Sequence, residues 1–149
     1  MELSMNKKLI LLGAIFLMFN CAGTRPTNLG VNGGKLIACP NTPNCVSSQA
    51  DSSDSHYIIP YKYTTDLSVA YAQLKAAVEK QDRVTIITTA DNYLNAEFKS
   101  RLMGFVDDVE FYFDDMSKTV HIRSASRLGK GDLNVNRKRM ESIREQLNW

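Results

Sequence analysis

The segment YLNAEFKSRLMGFVDDVEFYFDDMSKTVHIRSASR (residues 93–127) decides the fold. Apolar and polar side chains alternate through three runs of it, which is typical of strands with one buried face. The three predicted strands lie at about 93–101, 105–113 and 119–127. Gly104 separates the first two runs and a polar loop at 114–118 separates the last two. Breaks this short join antiparallel neighbours, so the segment predicts an antiparallel sheet.

The flanking sequence adds two strands and two helices. A β-branched run at 84–89 and an apolar, aromatic run at 57–63 each predict a strand. Asp66 is a suitable N-cap for a helix that ends near Lys80, and a last helix is expected from about Asn136. The order strand–helix–four strands–helix predicts an α+β domain, with an antiparallel sheet of about five strands and two helices packed on one face.

Alternation assigns side chains to the two faces of this sheet. The face toward the helices is predicted to carry Leu94, Ala96, Phe98, Val109, Phe111, Phe113, Val120 and Ile122. The other face is polar and carries Glu97, Asp108, Glu110, Arg123 and Arg127. Such a face fits a cross-strand ion-pair lattice on a wet surface, since opposite charges across strands stabilise by roughly 0.2–1 kcal/mol each. It also fits a shallow ligand site, or an enzyme that uses two carboxylates as acid and base.

Two charge placements break local rules. Alternation puts Asp107 on the buried face, where a lone carboxylate needs a partner. Arg137, Lys138 and Arg139 occupy the first turn of the last helix, where the helix dipole disfavours cations. Nearby aspartates would neutralise them. Alternatively, Arg123, Arg127, Arg137 and Arg139 would form an anion site for a phosphate or a lipid head group.

Cys39 and Cys45 enclose the short sequence PNTPN. In an oxidising compartment this spacing favours a structural disulfide. Metal binding lacks ligands, because only His56 and His121 would remain to complete a site. The spacing also differs from the C-x-x-C of redox dithiols. We therefore expect a disulfide, no metal and no cofactor.

The N-terminus predicts export. Lys7 and Lys8 precede an apolar run at 9–19, and Cys21 follows. This pattern predicts a lipoprotein signal peptide at residues 1–20 and a lipid, such as palmitate, on Cys21. The run is about half of the roughly 20 residues that a membrane-spanning helix needs. Met18, Phe19 and Asn20 depart from the usual lipobox, so a secreted protein and an uncleaved anchor remain alternatives.

The rest of the chain divides into a tether and a domain. Residues 21–35 contain Pro26 and several glycines without apolar periodicity, which predicts a flexible tether; residues 36–149 form the domain. The net charge of the whole chain is +2, and loss of residues 1–20 leaves it near +1. This balance offers no basic face for nucleic acid.

Four segments resemble the bacterial and plastid family catalogued as domain of unknown function 1499. They are CPNTPNCVSSQA (39–50), YLNAEF (93–98), GFVDDVEFYFD (104–114) and IRSASRLGKGDLNVNRKRMESIR (122–144). The resemblance implies a protein that is often exported or lipid-anchored, and it supplies no catalytic residues. Asn134 stands where the family pattern has glycine. The candidate ligand-binding residues, which match the family motif, are Asp107, Asp108, Glu110, Arg123, Arg127, Asn136 and Arg137.

These patterns predict a cell-envelope lipoprotein that faces the periplasm, with a non-enzymatic binding or accessory role. Ala22 after the lipid cysteine favours the outer membrane. The expected partners are the membrane, through the anchor, and an anionic small molecule, a lipid head group or an envelope protein. The alternatives are a hydrolase-like envelope enzyme that uses Asp108 or Glu110, and a purely structural envelope protein.

Overall fold

The computed structural model describes residues 22–149, so the predicted signal peptide and Cys21 lie outside the described residues. Eight elements follow one another in this part of the chain: β1 (Cys45–Ser47), β2 (Tyr61–Lys62), α1 (Leu67–Glu79), β3 (Val84–Ala90), β4 (Tyr93–Lys99), β5 (Val106–Asp114), β6 (Thr119–Ser126) and α2 (Val135–Leu147). Neither helix is long and apolar enough to cross a bilayer.

The strands form one six-stranded antiparallel sheet in the order β1-β6-β5-β4-β3, with β2 also paired to β6. β1 pairs with the last residues of β6 and β2 with its first residues. The predicted α+β class and the antiparallel meander of β3 to β6 are confirmed. The alternating segment produces this meander because each short break lets one strand fold back on the previous one.

The N-terminal side of the sheet differs from expectation. The predicted strand at 57–63 is reduced to Tyr61–Lys62, since Pro60 has no N–H to pair. Val46 and Ser47, for which the sequence predicted no strand, lie in β1 and add a sixth strand. Ser48 continues this attachment, because its hydroxyl accepts a hydrogen bond from the Ile122 N–H at 2.8 Å.

The core lies between the sheet and the two helices, as alternation predicts. All eight side chains assigned to the helix-facing side join one buried cluster with Leu74 and Val78 of α1 and Met140 and Ile143 of α2. Tyr61 fixes α2 from the sheet side, because its hydroxyl donates to the Met140 carbonyl at 2.6 Å. This packing orients the start of α2 over the ends of β5 and β6.

Several element ends meet at one end of the sheet. Lys99 at the end of β4 pairs with Val106 at the start of β5, and Asp107 pairs with Ser126 at the end of β6. The turn into α2 follows β6 at this end, and Asn134 in that turn has a φ of 63°. Asparagine tolerates this left-handed conformation better than most side chains, so the turn forms here without a glycine.

The disulfide between Cys39 and Cys45 is present, as predicted. It closes a loop beside β1, whose residue Cys45 pairs with Ala125 of β6. The loop therefore holds the edge strand that the sequence did not reveal.

We expect replacement of both Cys39 and Cys45 by serine to lower the free energy of unfolding by about 2–3 kcal/mol, the loop-closure contribution of a disulfide over so short a span. Urea unfolding of wild type and variant measures the difference. Wild type with a reducing agent is the control and should match the variant. Equal stability of the oxidised and reduced protein would contradict the prediction.

Candidate functional site

The polar face of the sheet is covered rather than wet. Asp108, Glu110 and Arg123 are 1%, 0% and 6% exposed. Residues 22–35, here called the strap, lie along this face, with Gly23 beside Arg127 and Gly30 beside Glu110. The predicted ion pairs between strands are present, but the surface is not wet, because the predicted tether contributes a second layer over the sheet.

Arg127 is the centre of the first charged group on this face. Its Nε and Nη2 donate to the two carboxylate oxygens of Asp108 at 2.8 and 2.6 Å. Its Nη2 also donates to Glu97, which in turn accepts a hydrogen bond from Arg25 of the strap at 2.6 Å. The two arginines and two carboxylates thus form a linear chain of ion pairs, Asp108–Arg127–Glu97–Arg25, which links β5, the residue after β6, β4 and the strap.

The electrostatics of this group favour the ionised forms. The hydrogen bond to Asp108 raises the pKa of the Arg127 guanidinium, and the one to Glu97 adds to it, against a smaller opposing effect of burial. Burial acts to raise the pKa of Glu97, but hydrogen bonds from Arg127 and Arg25 outweigh it and hold that pKa below its usual value. A carboxyl group in this state is a poor general acid near neutral pH.

Glu110 is the centre of the second charged group. Its Oε1 accepts hydrogen bonds from the Tyr93 hydroxyl and the Gly30 N–H, both at 2.8 Å. Its Oε2 lies 3.2 Å from Nη1 of Arg123. Burial raises the pKa of Tyr93, and the Glu110 charge raises it further, so the phenol stays protonated and donates. Glu110 is fully enclosed, with a partner on each oxygen.

A third group lies on the opposite, helix-facing side. Asp107 pairs with Arg139 of α2 at 2.6 Å, which supplies the partner that the sequence required. Arg139 also donates to Asn136 Oδ1 at 2.8 Å and to the Ser124 hydroxyl at 3.1 Å. The Asn136 amide donates to the Asn44 carbonyl at 3.1 Å, so this group joins α2, β6 and the disulfide loop.

Arg137 lies apart from all three groups. It donates to the Ser55 carbonyl at 2.9 Å, in the loop that carries His56. His56 bridges that loop, with Nδ1 at 2.6 Å from Asp54 and Nε2 at 3.0 Å from the Thr42 carbonyl. The hydrogen bond to Thr42 and then that to Asp54 raise the pKa of His56, while burial and, more weakly, the charge of Arg137 oppose them.

The seven candidate residues therefore occupy separate places. Asp108 and Arg127 share one group, Glu110 and Arg123 a second, and Asp107 and Asn136 a third, with Arg137 alone. The first two groups lie on the polar face and the third lies beneath α2. The predicted anion site from four arginines is not assembled, because Arg123, Arg127 and Arg139 each have a carboxylate partner. Whether any of these residues binds a ligand stays a prediction.

Sequence reasoning missed three contributors to the polar face: Arg25, Gly30 and Tyr93. Arg25 and Gly30 lie in a segment without periodicity, so no sequence signal placed them on the sheet. Tyr93 does carry a signal, because it has the same parity in β4 as Asn95 and Glu97 and therefore points to the same face.

A basic cleft of about 700 Å³ opens at the helix-facing side of the sheet, between the end of α1, the start of α2 and the end of β4. We use "basic cleft" for the surface whose charged lining is Lys80, Asp82, Arg83, Lys99, Arg101, Asp107, Lys138 and Arg139. Six of these side chains are cationic and two are acidic, and Asp107 is already paired with Arg139. In the described part of the chain, no three His, Cys, Asp or Glu side chains are grouped to hold a metal ion.

The fold and these groups define a small disulfide-closed α+β protein with arginine–carboxylate pairs on both faces of its sheet. The chain belongs to the family described as protein of unknown function (DUF1499), whose model matches residues 35–147. A search of curated proteins finds no match for the chain. The strap lies almost entirely before the matched residues, while the charged groups beneath it lie within them.

We expect Arg127→Ala to lower the free energy of unfolding by about 3–5 kcal/mol, because it leaves Asp108 buried without its partner. The matched control is Arg25→Ala, which removes the other arginine on Glu97. The Arg25 side chain is 50% exposed, so its loss should cost only about 0–1 kcal/mol. Urea unfolding of both variants measures this contrast. Similar losses in the two variants would show that burial does not set the strength of these pairs.

The raised pKa of His56 predicts a pH-dependent stability. The contribution of His56 is complete below its unfolded pKa of about 6.5 and is lost as the pH rises through its folded pKa. Burial lowers the pKa of His121, so its contribution has the opposite sign and is lost as the pH falls. Comparison of wild type with His56→Gln isolates the first effect. The difference in Tm between them should be larger at about pH 6 than at about pH 8.5, and a constant difference would rule the effect out.

Proposed function

We propose that this protein is a bacterial cell-envelope lipoprotein, anchored through Cys21 and facing the periplasm, whose domain binds an anionic ligand in the basic cleft and does not catalyse a reaction. The basic residues and apolar run before Cys21 support the anchor. The Cys39–Cys45 disulfide supports an oxidising compartment. The secreted form remains the alternative to the lipidated one.

The basic cleft is the observation that carries the binding proposal. Cationic side chains converge on it from the turn after α1, from β4, from the loop after β4 and from α2. Arg139 forms part of its base, where Asp107 pairs with it and Asn136 and Ser124 accept from it, so the exposed cations around the cleft supply most of the attraction for an anion. Lys99, Arg101 and Lys138 are exposed around it. Phosphate and carboxylate groups are the ligand chemistry that such donors recognise.

The arrangement on the polar face supports binding over hydrolysis. A hydrolase would use Asp108 or Glu110 as acid or base, and such chemistry needs contact with the substrate. Both carboxylates lie under the strap, and their oxygens already accept hydrogen bonds from arginine or tyrosine. Neither lines the basic cleft.

Inorganic pyrophosphate and glycerol phosphate are suitable probes for the cleft. A ligand that binds only the folded protein stabilises it by about 2.7 kcal/mol at 100 times its Kd, so we expect either probe to raise the Tm of the wild type. Lys99→Gln combined with Lys138→Gln should abolish most of this rise and weaken binding in calorimetry. Both residues are exposed, so the variant should fold normally.

Lys75→Gln is the matched control, since Lys75 lies on the exposed side of α1 and pairs only with Glu79. It should bind the probes as the wild type does. If the double variant and the control respond equally, the basic cleft is not the binding site.

A further inference from the structure

An apolar surface occupies the end of the sheet where β4, β5 and β6 meet their loops. We call it the apolar end and define it by five exposed side chains: Leu102, Met103, Phe105, Leu128 and Leu133. Leu102 and Leu133 are 91% and 89% exposed. A group of large apolar side chains at one end of a small protein marks a surface that another apolar phase covers.

Local structure holds these side chains outward. Gly104 adopts a φ of 67°, and the Ser100 N–H donates to the Phe105 carbonyl at 2.8 Å, so the β4–β5 loop is a closed turn with Leu102 and Met103 at its tip. Leu133 itself has a φ of 53°, an unfavourable conformation for a large side chain. The Asp132 carboxylate fixes it by accepting the Asn134 and Asn136 N–H groups at 3.0 and 2.9 Å.

The start of the strap lies at the same end. A Cβ placed on Gly23 would come within 3.0 Å of the Leu128 side chain, so Gly23 packs directly on a member of the apolar end. Cys21 is two residues before Gly23 in the sequence. The predicted lipid attachment residue is therefore only two residues from a glycine that packs on Leu128.

The charges around this surface match one occupant. Lys99, Arg101 and Lys130 are exposed at its border, and the basic cleft opens beside it through Lys99, Arg101 and Val135. Apolar side chains surrounded by lysine and arginine bind the boundary between head groups and acyl chains of a membrane with anionic lipids. At the opposite end of the sheet Asp114 and Asp115 lie beside Lys118 and Lys62, so the charges there are mixed.

We propose that the apolar end docks on the surface of an anionic lipid bilayer. The end of the sheet where β4, β5 and β6 meet their loops then faces the membrane. The mouth of the basic cleft lies at the level of the lipid head groups. This inference rests on the lipid anchor of the proposed function and goes beyond it, since an anchor alone leaves the orientation of the domain free.

Tryptophan quenching by brominated lipids tests the orientation. The chain has a single tryptophan, Trp149, which packs on Tyr63 away from the apolar end. The test uses the full-length protein, purified with its own lipid, in vesicles of phosphatidylethanolamine and phosphatidylglycerol with acyl chains brominated near the head group. Two variants place the reporter, each in a Trp149→Phe background: Met103→Trp at the apolar end, and Met116→Trp in the opposite loop, where Met116 is 99% exposed.

We expect about a twofold loss of fluorescence at position 103, because docked side chains enter the interface by about 5–10 Å and reach the brominated carbons. Trp149 in the wild type and the tryptophan at position 116 should keep their fluorescence. Equal quenching at positions 103 and 116, or none at 103, would overturn the docking proposal.

A separate arm tests the anchor. Mass spectrometry detects the lipid on Cys21, and Cys21→Ser measures its contribution to vesicle binding. A lipid on Cys21 without quenching at position 103 rejects docking and leaves the anchor intact. If mass spectrometry finds no lipid on the unmutated Cys21 and the tryptophan at position 103 is still quenched, the docking surface is supported and the anchor is rejected.

Discussion

The pairing of Arg127 with Asp108 is the constraint on which the polar side of the molecule depends. A sheet with charged side chains on one face is stable when that face is in water, and its burial is costly unless every charge finds a partner. Here the bidentate contact between Arg127 and Asp108 satisfies two charges at once. It also leaves an N–H for Glu97, and Glu97 then recruits Arg25. The strap can lie over the sheet because this chain of pairs extends to it.

The two faces of the sheet thus use different physics to hold their covering layers. The helix side is held chiefly by burial of apolar side chains, and the polar group Asp107–Arg139–Asn136 fixes where α2 begins. The strap side is held by charge pairs and by backbone donors such as the Gly30 N–H. Apolar packing has no direction, whereas hydrogen bonds and bidentate pairs require a fixed geometry. The polar groups therefore determine where the strap and α2 lie on the sheet, and the apolar core supplies most of the stability.

The sequence correctly predicted the strands and side-chain directions that follow from a local pattern of apolar and polar residues. Alternation located β4 to β6 and both faces of the sheet, and it placed Asp107 where it needed a partner. The β-branched run located β3. Alternation could not reveal β1, because three residues are too few to show a period. It could not place Arg25 on Glu97, since the two residues are 72 positions apart and the segment around Arg25 has no pattern. Helix geometry alone separates Arg137 from Arg139, because side chains two residues apart on a helix point about 200° apart. In the structure Arg137 donates to the Ser55 carbonyl and Arg139 to the Asp107 carboxylate.

The path of the strap has a mechanical consequence. Its contacts begin at Gly23, beside Arg127, and continue along the chain to Gly34, whose carbonyl accepts a hydrogen bond from the Gln49 side chain at 2.9 Å. For a protein held by a lipid on Cys21, a force that pulls the domain from the membrane loads these contacts one at a time, as in peeling, rather than all together. Complete peeling would free residues 22–35, which span on the order of 50 Å when extended at about 3.3–3.6 Å per residue. The disulfide and the apolar core would remain intact, so release of the strap would lengthen the link between the lipid and the domain without unfolding the domain.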